Sequence, residues 1–147
     1  MRVRVMCLAR YAEIIHGQNV LNIIGAGIEE IAVDSLPHVY GVPLYTVARL
    51  SLSPEEAIRS RSVKVTVLTP SGDMLLNPDE FILPQLDPSS SERFNTNFVI
   101  AFANMTFETA GTHWFVLTVG GEEVDRVPLR VRQVEARDEA TQDKEEQ

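Results

Sequence analysis

The chain has one cysteine, Cys7, among 147 residues, so no internal disulfide can hold it together. No apolar run approaches the roughly 20 residues that a bilayer-spanning helix needs. Val3–Ala9 is too short and too regularly alternating for the core of a secretory signal. These absences point to a cytoplasmic protein without membrane association. With no sign of export, the sequon Asn104-Met105-Thr106 reads as a chance match. No helix-period apolar pattern reaches ten residues, and no internal repeat is visible. A basic surplus is missing too. The formal charge is −8, and the last fifteen residues carry six acidic against two basic side chains, half of that total. A protein that tracks phosphates usually shows a basic stripe, so nucleic acid is not an expected partner. Arg2/Arg4, Arg59/Arg61 and Arg130/Arg132 do pair, but a spacing of two on a strand places each pair on one solvated face.

What the chain does have is 44% hydrophobic residues, enough for one self-sufficient core. Their spacing is mostly two. Arg2–Ala9 alternates, and His16-Gly17-Gln18-Asn19 supplies a turn before Val20–Ile24, which predicts a hairpin. Gly25-Ala26-Gly27 interrupts, and Ile28–Val33 alternates again. Pro37, Gly41 and Pro43 mark a crossing loop before a strand over Leu44–Leu52. Ser53-Pro54-Glu55-Glu56 has the residues of a capping box, with proline suited to the first helical position, and predicts a helical turn or two ending near Ser60. Ser62–Thr69 alternates, Pro70-Ser71-Gly72 turns, and Met74–Leu76 returns. Residues 77–93 are irregular, with Pro78, Pro84, Pro88 and Ser89–Ser91. One long strand is expected over Asn95–Phe107, another over Thr112–Val119, and Gly120-Gly121 turns into Glu122–Arg132. Pro128 has no N–H to give a ladder, so it should lie at an edge or point that position outward.

About eight short strands and one capped turn make an all-β chain, best read as an immunoglobulin-like antiparallel β-sandwich. The domain is expected over residues 1–132. The polar, aromatic-free stretch 133–147 is read as an acidic disordered tail that recruits a basic partner or, more simply, keeps the domain soluble.

Two blocks carry a resemblance. Met6-Cys7-Leu8-Ala9-Arg10-Tyr11-Ala12-Glu13, followed by Asn19-Val20-Leu21-Asn22-Ile23-Ile24-Gly25, resembles the opening of a family of small bacterial proteins of unknown function. Leu36-Pro37, Val47-Ala48-Arg49, Gly111-x-x-x-Phe115-x-Leu117, Gly121 and Pro128-Leu129-Arg130-Val131 are similar to it as well, so the likeness spans most of residues 3–132. His113 stands where related sequences often carry tyrosine. The resemblance implies the sandwich fold and implies no activity.

No arrangement of residues reaches a catalytic, metal or nucleotide site. Gly25-Ala26-Gly27 follows an apolar strand, as a dinucleotide loop would, but Glu30 occupies the third glycine position and the next segment alternates as a strand. His16, His38 and His113 show no ligand spacing, and no metal or cofactor is expected. Glu29/Glu30, Glu55/Glu56, Asp79/Glu80 and Glu122/Glu123 are adjacent pairs, which on a strand point to opposite faces. No serine sits in a nucleophile elbow. Cys7, on the apolar side of the first strand, reads as a small core residue.

The most informative stretch is Phe98–Ala103, apolar at every position. Phe98, Ile100 and Phe102 are set to fill the core. Val99, Ala101 and Ala103 are left on a second face, with Trp114 and Val116 on the matching face of an expected hairpin neighbour. That face must be covered by the chain itself, for example by residues 77–93, or by a partner, whether another protein or a second copy. The resulting expectation is a non-enzymatic binding or scaffold module acting through a sheet face or edge. The alternative is a small-ligand binder or enzyme, with a site formed by the 77–93 loop and Arg49 or His113.

Overall fold

A computed structural model describes residues 1–15, 17–76, 79–83 and 94–135. The strands are β1 (Arg2–Ile15), β2 (Val20–Ala26), β3 (Glu30–Val33), β4 (His38–Tyr40), β5 (Leu44–Leu52), β6 (Arg61–Leu68), β7 (Met74–Leu76), β8 (Glu80–Leu83), β9 (Phe94–Phe102), β10 (Met105–Phe107), β11 (Gly111–Val119) and β12 (Glu122–Gln133), with one short helix, α1 (Pro54–Ala57). They form a four-stranded sheet β2-β1-β5-β9, a six-stranded sheet in which β8 joins β6 beside the path β3-β12-β11-β6-β7, and a two-stranded sheet β10-β4. Among the described residues no sheet closes into a barrel, and no helix is long and apolar enough to cross a membrane. The expected tail residues 136–147, the turn residue His16 and the prolines and serines of 84–93 lie outside the described residues.

The two large sheets share one core. Leu8, Leu44, Ala48, Leu50 and Leu52 from the first meet Val63, Val65, Val67, Phe115, Leu117, Leu129 and Val131 from the second. Phe98, Ile100 and Phe102 pack against this core, as their alternation predicts, and Phe102 meets Phe115 edge to face at 5.6 Å between ring centroids. The local signals also hold. Ser53 accepts the Glu56 N–H while the Glu56 carboxylate takes the Ser53 N–H, closing the capping box. Gly120 and Gly121 both have positive φ, at 60° and 84°, which the two-residue turn between right-twisted strands requires. β3 flanks β12 only at Arg130–Gln133, so β12 is an open edge at Pro128 and no ladder bond is lost there.

Three expectations are corrected. The described residues form twelve strands rather than about eight, because three-residue strands such as β4 and β10 are too short to show a period. The expected strand Asn95–Phe107 is two: the chain turns at Asn104, with φ 51°, and β10 leaves to pair with β4, placing the buried Met105 and Phe107 in the core. The pairing is not all antiparallel, since β3 runs parallel to β12. A hairpin dictates an antiparallel neighbour, but β3 enters the second sheet from the first, and its direction is set by that crossing.

Candidate functional site

The expected hairpin pairing of Phe98–Ala103 with Thr112–Val119 does not form. β9 pairs with β5 in the first sheet, and β11 pairs with β12 and β6 in the second. Val99 and Ala101 are therefore on a different sheet from Trp114 and Val116, with Ala103 just past the end of β9, and the five do not make one surface. Val99 is half-buried, while Ala101 and Ala103 are exposed and line a groove of about 200 Å³ with Val65 and Leu76. Trp114 lies beside Pro128 and Leu68, with the Arg126 guanidinium 5.4 Å from its ring centroid. Glu123 holds Arg126 in place through a 2.6 Å bond, and the pair pulls the Glu123 carboxyl below its ordinary value. Val116 is buried.

The outer side of the first sheet is covered in part from within the chain by the β1–β2 ribbon, while most of the expected cover, residues 77–78 and 84–93, lies outside the described residues. β1 runs past the end of β5 and continues with β2 as a two-stranded ribbon. That ribbon lies back on the sheet. Ala12, Leu21 and Ile23 of the ribbon pack with Cys7, Ala9, Tyr45, Val47 and Val99, a second apolar cluster separate from the main core. Ala9 and Val47 are fully buried there although their strand neighbours face the main core. Cys7 belongs to this outer cluster rather than to the main core, and burial pushes its thiol up from the ordinary range.

The ribbon tip is latched. Asn19, in the left-handed region at φ 49°, donates from its amide to the Asn95 carbonyl at 2.7 Å. The Asn97 amide donates to the Asn19 carbonyl at 3.0 Å and to its side-chain oxygen at 2.7 Å. Arg49, opposite Asn97 in the β5–β9 register, donates to both Asn97 Oδ1 and the Asn19 carbonyl. Asn19 and Asn104 tolerate positive φ because a short polar side chain relieves its cost locally.

The ribbon's other side is open. Tyr11 faces Ile24, Glu13 faces Asn22 and Ile15 faces Val20 across the ribbon. Of these, Tyr11, Ile15, Val20 and Ile24 are exposed, Ile24 by 57%. The middle of the row is polar but internally satisfied: Glu13 accepts from Tyr11 at 2.9 Å and from Asn22 at 3.1 Å, which holds its carboxyl below its ordinary value and the Tyr11 phenol above. β2 pairs with β1 alone among the described residues, so its far edge carries unpaired backbone groups. Sequence reading found the hairpin but not that it lies back on the sheet. The missed signal is in Leu44–Leu52, where Tyr45 and Val47 make the second face apolar as well and so demand a second cover.

A separate cavity of about 450 Å³ is lined by Thr69, Ser71 and Asp73 of the turn after β6, by Met74 and Leu75, by Glu108 and Thr109, and by His113. Gly111 has φ 123°, and a Cβ there would come within 2.9 Å of Pro70, so glycine lets β11 start against this turn. His113 is fully buried. It lies edge-on to Phe107, its Nδ1 donates to the Gly111 carbonyl at 3.3 Å, and its Nε2 meets no partner among the described residues. Burial pushes its pKa down, which the Gly111 bond opposes in part. The wall is rich in acceptors and has no cationic side chain. Arg49 is on the other sheet, beneath the ribbon tip, so it and His113 do not share a site. Among the described residues no three of His, Cys, Asp and Glu gather to hold a metal.

Residues 4–132 match the model of a family described as a family of unknown function, DUF6941. The chain belongs to that family. The match begins within β1 and ends one residue short of the end of β12, so it takes in both sheets, the ribbon and the cavity. No curated protein matches the chain.

Proposed function

We propose that this member of DUF6941 is a non-enzymatic protein-binding module on an immunoglobulin-like sandwich, and that its contact surface is the outer side and free edge of the β1–β2 ribbon. One observation carries the reading: Tyr11, Ile15, Val20 and Ile24 are exposed in a row beside an unpaired strand edge. Large apolar side chains gathered on one exposed face, here on either side of a polar pair, commonly mark a contact site. Soluble proteins guard free edges with charge, proline or bulges. β2 has no charged residue, no proline and no register shift against β1. The exposed Met74, Leu76, Phe81 and Ile82 border residues outside the described set and support no such reading.

The test is cross-linking capture with full-length protein from native-host lysate, comparing wild type with Ile24→Lys and with Val39→Lys, a control at a similarly exposed site on β4. Ile24→Lys is expected to lose the captured protein, and Val39→Lys to keep it. Equal recovery by all three contradicts the ribbon as contact surface.

A second reading is supported by the cavity beside His113. A neutral imidazole with Asp73, Glu108 and three hydroxyls suits a small, donor-rich, cationic ligand better than an anion. Calorimetric titration with a primary amine or guanidinium that shows no heat, in wild type and Asp73→Asn alike, removes that reading.

A further inference from the structure

We infer that the occupant of the ribbon surface is a second copy of this chain, joined through antiparallel pairing of the two β2 edges into one continuous sheet. The inference rests on the ribbon being the contact surface and adds what fills it. Charge is the first argument. Each copy carries −8, half of it in the last fifteen residues, so two copies repel one another overall. Residues 10–28 hold one arginine, one glutamate and one histidine, a formal charge of zero with the histidine neutral. The arginine and glutamate are also placed harmlessly: Arg10 packs over Gly25, and Glu13 is taken up by Tyr11 and Asn22. The ribbon is thus a neutral place where two acidic copies can meet, and it offers no charge for a basic partner to recognise.

Edge geometry is the second argument. A strand that pairs with its own copy about a two-fold axis uses one patch twice and closes at two, without propagating. Antiparallel β2 strands bring Val20 and Ile24 of both copies together, backed by Tyr11 and Ile15 on β1. The opposite edge of the same sheet, β9, is less available, because its Asn95 carbonyl already accepts from Asn19. Open-ended β2-on-β9 stacking is disfavoured accordingly.

Sedimentation equilibrium of the full-length protein over a wide concentration range tests this, at about 0.05 M and about 0.5 M salt. Expected is a species of twice the 16.4 kDa chain mass. It should tighten as salt screens the repulsion, and Ile24→Lys should weaken it by at least about tenfold by setting an ammonium against the apolar Val20 of the second copy. Circular dichroism of Ile24→Lys should be unchanged, and its melting temperature should equal the wild type's at dilutions where both are monomeric, since Ile24 is exposed in the single chain. Association that weakens with salt, or that runs to open polymers, overturns two-fold β2 pairing. A monomer at every concentration overturns the second copy as occupant. If that monomer still cross-links another protein in an Ile24-dependent way, the ribbon surface stands with a different occupant; if it does not, both fall together.

Discussion

At the residue scale, His113 shows how burial turns a polar side chain into a pH-dependent element of stability. Its ring is enclosed by the core with Phe107 at its edge, and the Gly111 carbonyl fixes the proton on Nδ1. The folded state therefore holds the imidazole neutral, while the unfolded chain titrates near the ordinary histidine value of about 6.5. The folded pKa is the lower one. The unfolded state binds the extra proton first, so the stabilising contribution is complete above about pH 6.5 and is lost as pH falls through and below it. Urea unfolding from pH 7.5 to 5 should show the wild-type midpoint falling more steeply than that of His113→Phe, which fills the same space without a titrating group. Parallel pH profiles would mean that His113 is already solvated. His113 shares a strand face with Phe115, Leu117 and Val119; its complete enclosure depends on Met105 and Phe107 crossing over from β10, a contact that no local period reveals.

Among the elements, the ribbon has the least local explanation. Its turn residues and alternation predict a hairpin, and the hairpin forms. What makes it lie back on the sheet is non-local: apolar Ala12, Leu21 and Ile23 have their match in Ala9, Val47 and Val99, and Asn19 has its partners in Asn95 and Asn97, nearly eighty residues away. Full burial of a valine such as Val47 is worth about 1.5–3 kcal/mol, so covering the face is favourable even without the latch. The latch sets where the tip rests. Asn97→Ala removes both bonds to Asn19 and leaves Arg49 with the Asn19 carbonyl alone. It should cost about 1–3 kcal/mol and speed amide exchange in Val20–Ile24 while β11 and β12 stay protected. Uniform loss of protection would show instead that the ribbon and the sheets unfold as one unit. The strands over Leu44–Leu52 and Met74–Leu76, the capping box and the glycine turns were legible because each rests on neighbours in the chain. The parallel β3–β12 pair, the split at Asn104 and the sheet assignment of β9 were not, because partners so distant in sequence leave no trace in spacing.

For the whole molecule, two sheets close one core, and the ribbon covers Val47 and Val99 on the outer side of the first sheet while its own back keeps Tyr11, Ile15, Val20 and Ile24 exposed. Along β11 of the second sheet the corresponding need is met locally, with Arg126 held by Glu123 over Trp114 and with Val116 buried. This difference is why the proposed contact surface is placed on the ribbon and not on the residues of β9 and β11. The most direct measurement is hydrogen exchange along Val20–Ala26 in the full-length wild-type protein, dilute and concentrated. If β2 is the paired edge, its outward amides should become protected as concentration rises, in step with the change in mass, while the amides of β3 at the other sheet's edge stay unchanged. Exchange in β2 that is fast and independent of concentration, with or without cellular partners added, would contradict the ribbon as the contact surface.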